Sequence, residues 1–111
     1  MTLKQLNEKL QKDFEELEKE GNGDYHYFIN HAYRFAHYNE IQDFFADMEE
    51  ENYEEHWKDL VSECDLSGNT LDRIYTQWLN YNHPEYYNFF TYEGLVEILE
   101  YFFKTHKKEE Q

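Results

Sequence analysis

The segment TLKQLNEKLQKDFEELEKEGNG, residues 2–23, decides the fold class. Thr2 and Gln5 stand at capping-box spacing, where each side chain accepts an otherwise unbonded backbone N–H at a helix start. Behind them Leu3, Leu6, Leu10, Phe14 and Leu17 recur at three and four residues, the period of one helix face. Gly21-Asn22-Gly23 then ends the pattern. The spacing predicts a helix of about five turns. Its near-heptad run is too short to argue a coiled coil, so the oligomeric state stays open, a homodimer included.

The same grammar continues down the chain. Asp24 can cap a helix from Tyr25 to about Tyr38 with Phe28, Ile29, Ala32, Phe35 and Ala36 turned inward. Asn39 with Gln42 and Asn52 with Glu55 repeat the capping-box spacing, the first ahead of Ile41, Phe44, Phe45 and Met48, the second ahead of Trp57, Leu60 and Val61. Two acidic helices, or one bent near Asn52, follow. Residues 65–69 read as a loop, after which Thr70 can cap a helix bearing Leu71, Ile74, Tyr75, Trp78 and Leu79. Pro84, the only proline, interrupts it and is expected to open a short turn through Phe90. Thr91 can cap a last helix with Leu95, Ile98, Leu99, Phe102 and Phe103 inward, fading into a frayed tail over 104–111. No strand alternation, repeat or linker competes. The expectation is an all-α fold, a compact single-domain bundle of five to six short helices spanning residues 1–111.

Composition agrees with a packed domain. The mean hydropathy of −1.07 leans toward disorder, but 20% of the 111 residues are aromatic, and disordered chains are poor in aromatics. The single cysteine, Cys64, cannot make an internal disulfide, and small secreted domains commonly use several. The start carries no signal-peptide pattern, and no stretch approaches the roughly 18 apolar residues of a membrane span. A soluble, cytoplasmic protein is expected.

Charge is the strongest functional signal. Residues 40–63 hold ten carboxylates (Glu40, Asp43, Asp47, Glu49, Glu50, Glu51, Glu54, Glu55, Asp59 and Glu63) against Lys58 alone, within a chain of net charge −15. On helices, Asp43, Asp47, Glu50, Glu51 and Glu54 stack into a stripe that Glu55, Asp59 and Glu63 extend, with neighbours about 5–6 Å apart. That approaches the charge density of a nucleic-acid backbone. The bland alternative is a solvated outer face, yet such faces ordinarily mix both signs, and this one does not. Self-repulsion of this size is costly unless a basic partner meets it. Direct nucleic-acid binding is disfavoured, since the net charge repels phosphate.

A short, helical, acidic, Tyr-rich chain of pI near 4.6 resembles the DNA-mimic inhibitors of phages and mobile elements, such as anti-restriction proteins of the Ocr type, some anti-CRISPR proteins and acidic inhibitors of DNA-repair enzymes. The resemblance is one of composition. It implies occupation of the basic nucleic-acid site of a restriction, CRISPR or other nuclease-type enzyme, with no cofactor and no catalysis. Cys64-Asp65-Leu66-Ser67-Gly68, Ile74-Tyr75 and the aromatic run through Phe90 are also similar to an uncharacterised family of short proteins on conjugative elements, over less than a third of the chain; that likeness brings no established activity.

Catalytic and metal signals are weak. His26, His31 and His37 are offset by five and six residues, off the shared helical face a metal pair needs. Cys64 lacks an evident base and reads as a structural thiol. The 11 tyrosines exceed what a small core would choose. Tyr53, among Asn52, Glu54 and Glu55, is the candidate interface anchor. The expected partner-binding set is therefore Asp43, Asp47, Glu50, Glu51, Tyr53, Glu54, Glu55 and Asp59, on an inhibitor and not an enzyme. The alternatives are an immunity protein against a specific nuclease toxin, relying on Tyr53, a helical interaction protein without mimicry, or an enzyme or metalloprotein.

Overall fold

The computed structural model describes residues 2–51, 55–81 and 91–108. These form six α-helices: α1 (Leu3–Glu20), α2 (Tyr25–Asn30), α3 (Ala32–Glu51), α4 (Glu55–Glu63), α5 (Thr70–Tyr81) and α6 (Tyr92–Thr105). The capping box of Thr2 and Gln5 is closed in both directions, at 3.1 and 2.8 Å. Leu3, Leu6, Leu10 and Leu17 are buried along one side of α1. Its near-heptad seam is thus spent inside the molecule. At the end of α1 only a glycine fits at Gly21, because a Cβ there would meet the Tyr27 ring, and Gly23 turns the chain at φ +75°.

The single helix expected from Tyr25 to Tyr38, followed by a new start at Asn39, is redrawn. The break falls at His31, whose Nδ1–H folds back 2.8 Å onto the Tyr27 carbonyl while its ring stacks on Tyr27. The next helix then runs unbroken through Asn39, which has no helix end to cap. Tyr38, Ile41, Phe45 and Met48 are buried at spacings of three and four across that point, so packing holds the ladder where a local signal suggested a boundary. Ile29 and Ala32, expected inward, are exposed.

The start of α5 is also corrected. Its cap is Asn69, whose Oδ1 accepts the Asp72 N–H at 3.1 Å, while the Thr70 hydroxyl donates to the Leu66 carbonyl. Asp13 of α1, only 5% exposed, reinforces this end by accepting the Thr70 N–H at 2.8 Å and the Lys9 ammonium at 3.0 Å. A carboxylate at a helix N-terminus meets its unsatisfied N–H groups and positive dipole end. Leu79, placed inward by the spacing, is 43% exposed. Thr91 caps α6 as expected, accepting from the Gly94 N–H.

Asn7 of α1 reaches the Phe45 carbonyl and Phe14 meets Phe35, so α1 and α3 lie antiparallel. Helix α5 packs on both, and α4 leans on α6 and α1. Trp57 of α4 contacts Phe44, Phe45 and Phe103, joining the two sides of the core. Of the segment expected to fray, residues 109–111 lie outside the described residues, while the described part pairs with the end of α4: Asp65 N–H donates to the His106 carbonyl and Lys108 N–H to the Glu63 carbonyl, making an isolated antiparallel bridge between Cys64 and Lys107.

Candidate functional site

The carboxylates of residues 40–63 divide between two helices with different supports. Asp43, Asp47 and Glu50 are exposed on α3, at helical spacing, on the side away from buried Ile41, Phe45 and Met48. Asp59 is exposed on α4, and Glu63 is paired with Lys107 at 3.5 Å. Glu49 accepts from the Asn7 amide at 2.6 Å. Tyr53 and Glu54 lie outside the described residues, as do the side chains of Glu51 and Glu55. The stripe that sequence spacing extends through 63 is therefore described on α3 as Asp43, Asp47 and Glu50.

Folding supplies a second row. A groove between α1 and α3 is lined by Leu10, Phe14 and Ala46, amides from Asn7, Gln11 and Gln42, and the carboxylates Glu15, Glu18 and Asp43. It continues to the C-terminal end of α1, where Glu15 and Glu18 are joined by Lys19, Asn22 and Gly23. That helix end carries the negative pole of the backbone dipole. Glu15 and Glu18 were absent from the expected set. Their spacing opposite the leucine face was readable, but which helix lies across from them depends on tertiary packing.

Lys19 lines the groove end with Glu15 and Glu18, whereas five other cations are committed elsewhere. Lys9 is held by Asp13 and the Gly68 carbonyl, and Arg34 by Asp72 at 2.6 Å. Arg73 donates to the carbonyls of Asp65 and Ser67 at 2.9 and 2.7 Å. Lys104 pairs with Glu100 and Lys107 with Glu63. Among the described residues no ion pair includes Glu15, Glu18, Asp43, Asp47 or Glu50. Among the described residues no cation meets their mutual repulsion within 4.0 Å.

The groups weighed for chemistry have structural surroundings. Cys64 is fully buried, and burial pushes its thiol up to about 11 against the pull of Arg73, which keeps it protonated and unreactive. His37 is fully buried with its ring 4.9 Å from Trp78 and 5.3 Å from Tyr75; burial lowers its pKa, outweighing its bond to the Tyr33 carbonyl. His26 is exposed and His31 is stacked on Tyr27. Among the described residues no three His, Cys, Asp or Glu side chains are grouped to hold a metal ion. None of the described helices is long and apolar enough to cross a membrane.

The tyrosines split likewise. Tyr38 is buried, donating to Asp72 at 3.0 Å and accepting from Arg34 at 2.8 Å, and burial pushes its phenol above the ordinary range. Tyr25, Tyr33, Tyr92 and Tyr101 are exposed. No known protein family, curated protein or solved structure matches the chain.

Proposed function

We propose that this protein is an acidic protein-binding inhibitor that presents carboxylate-bearing helices to the basic nucleic-acid-binding surface of a restriction, CRISPR or other nuclease-type enzyme. The observation that carries the reading is the set of carboxylates on α1 and α3: Glu15, Glu18 and Asp43 lining one groove, with Asp47 and Glu50 continuing along α3, none in an ion pair among the described residues. The helices are anchored by buried Leu10, Leu17, Ile41, Phe45 and Met48, so the charges are held in place before a partner arrives. Preorganised charge steers association and loses little entropy on docking. An occupied cleft excludes nucleic acid, so inhibition requires no bond to be made or broken. The compositional resemblance to DNA-mimic inhibitors supports the same reading.

The test is competition. The protein is titrated against a panel of nuclease-type enzymes holding labelled DNA, at about 50 and 500 mM salt, where the screening length shortens several-fold. Displacement of DNA that weakens steeply at the higher salt is expected, and the triple variant Asp43→Asn, Asp47→Asn, Glu50→Gln should lose most of it. Displacement indifferent to salt would sink the electrostatic mechanism.

A further inference from the structure

The groove between α1 and α3 has a mixed lining that a solvated acidic face does not need. Leu10 is buried along it, Phe14 is half-buried and steadied by a T-shaped contact with Phe35 at 5.6 Å, and exposed Ala46 adds only a methyl group. Asn7 is committed through its amide nitrogen to the Phe45 carbonyl and Glu49, whereas the side chains of Gln11 and Gln42 make no hydrogen bond among the described residues. Glu15, Glu18 and Asp43 complete the lining, all exposed and outside every ion pair among the described residues. They form no group that could hold a metal ion. With a volume of about 410 Å³ the groove lies at the low end of the roughly 300–1,000 Å³ of small-ligand sites. That is room for a side chain and not for a helix.

We propose that this groove receives an arginine side chain of the partner protein; the proposal rests on the basic partner inferred above and specifies which basic group enters. Charge selects a cation, and the lining selects among cations. A lysine ammonium is a compact, strongly hydrated point charge that gains little from carbon surface. A guanidinium is more weakly hydrated, holds its N–H donors in one plane and lies readily against aromatic carbon. Its stem meets Leu10, Phe14 and Ala46, and its donors have separate acceptors in the carboxylates of Glu15, Glu18 and Asp43 and the side-chain carbonyls of Gln11 and Gln42. Acceptors that do not converge on a metal ion suit a planar fork better than a point charge. Lys19 lines the continuation of the groove at the end of α1 and not this part of it, so the cation enters beside Asp43 and the two glutamines.

A pair of probes of equal charge decides it: the peptides acetyl-Gly-Arg-Gly-Arg-amide and acetyl-Gly-Lys-Gly-Lys-amide, each titrated into the full chain at about 100 mM salt and followed by NMR. General attraction to an acidic protein treats them alike, so the difference between them reads the groove. The arginine peptide is expected to bind at least about fivefold more tightly, with shifts centred on the side-chain amides of Gln11 and Gln42 and on the Phe14 ring. Ala46→Leu fills the groove at an exposed helical position without changing charge. It should bring the arginine peptide down to the affinity of the lysine peptide and leave the latter unchanged. Gln11→Ala, also neutral and exposed, should act in the same direction by a smaller amount. Circular dichroism checks that both variants keep their helices. Equal affinities in the parent chain, or an arginine preference that survives Ala46→Leu, overturns the proposal. The nuclease reading fails separately: a preference lost in Ala46→Leu supports the groove even where no enzyme of the panel releases its DNA, and salt-sensitive release with equal peptide affinities sinks the groove alone.

Discussion

The two halves of α3 spend their polar groups in opposite ways. Residues 32–39 contain Arg34, His37 and Tyr38 and no carboxylate, and their polar atoms turn inward or across to α5: Arg34 and Tyr38 converge on Asp72, and Arg34 also lies over the Tyr38 and Tyr75 rings at 5.8 and 5.6 Å. Residues 40–51 contain six carboxylates, of which Asp43, Asp47 and Glu50 are exposed and outside every ion pair among the described residues. One half uses charge to hold the molecule together. In the other, Glu49 accepts from Asn7 of α1, but among the described residues Asp43, Asp47 and Glu50 make no such bond. The contrast separates structural polar residues from those available to a partner, which composition alone cannot do.

The largest effect should come from the packing that both halves share. Phe45→Ala removes a fully buried ring set against Trp57 and Phe103, and urea denaturation should show a loss of about 3–5 kcal/mol. A loss below about 1 kcal/mol would mean the acidic half is not anchored as described. Next comes the inward network. Tyr38→Phe deletes a buried hydroxyl that accepts from Arg34 and donates to Asp72, leaving both partly exposed partners under-bonded, and should cost about 1–2 kcal/mol. An unchanged midpoint would remove the structural role assigned to this half.

The pH response sharpens the same contrast. Burial lowers the pKa of His37 from its ordinary 6.5, so the unfolded chain binds the proton more readily than the folded one. Stability from this residue is therefore complete above pH 6.5 and is lost as pH falls from there through the depressed folded value. Among the described residues the rings set against it are Tyr33 from its own helix and Tyr75 and Trp78 from α5. Denaturation midpoints measured from pH 7.5 to 5 should fall, and His37→Gln should flatten that slope whatever it does to the midpoint at neutral pH. An identical slope in the variant would place the titration elsewhere.

Much of this fold was legible because its helices are announced locally. Thr2 with Gln5, Asp24 and Thr91 each cap the helix their spacing suggests. Two of the misreadings share one cause: a local signal was outvoted by packing. Asn39 and Gln42 stand at capping-box spacing, but Tyr38, Ile41 and Phe45 are buried through that point and keep the ladder whole. Thr70 is a good cap by type, yet Asn69 takes the role and Asp13, 57 residues earlier, completes it. The candidate site was half legible for the same reason. Asp43, Asp47 and Glu50 follow from charge and period, whereas Glu15 and Glu18 join them only because α1 lies antiparallel to α3, a pairing that no spacing encodes.

The smallest expected effect carries the most weight for the acidic half. Asp43 and Asp47 stand four residues apart and Asp47 and Glu50 three, so each is a like-charge neighbour of the next on the same helix. Such pairs destabilise a helix by about 0.2–0.5 kcal/mol apiece. Neutralising all three in Asp43→Asn, Asp47→Asn, Glu50→Gln should therefore leave stability unchanged or raise it by a few tenths of a kcal/mol, with added salt narrowing the difference from the parent chain as it screens the repulsion. Thermal melts at about 20 and 500 mM salt measure both signs. A loss above about 1 kcal/mol would show these carboxylates bonded into the fold, and the two halves of α3 would then differ in degree only. A gain at low salt that vanishes at high salt means the fold carries the acidic row at a cost, and a charge pattern maintained against folding stability is the signature of a surface kept for a partner.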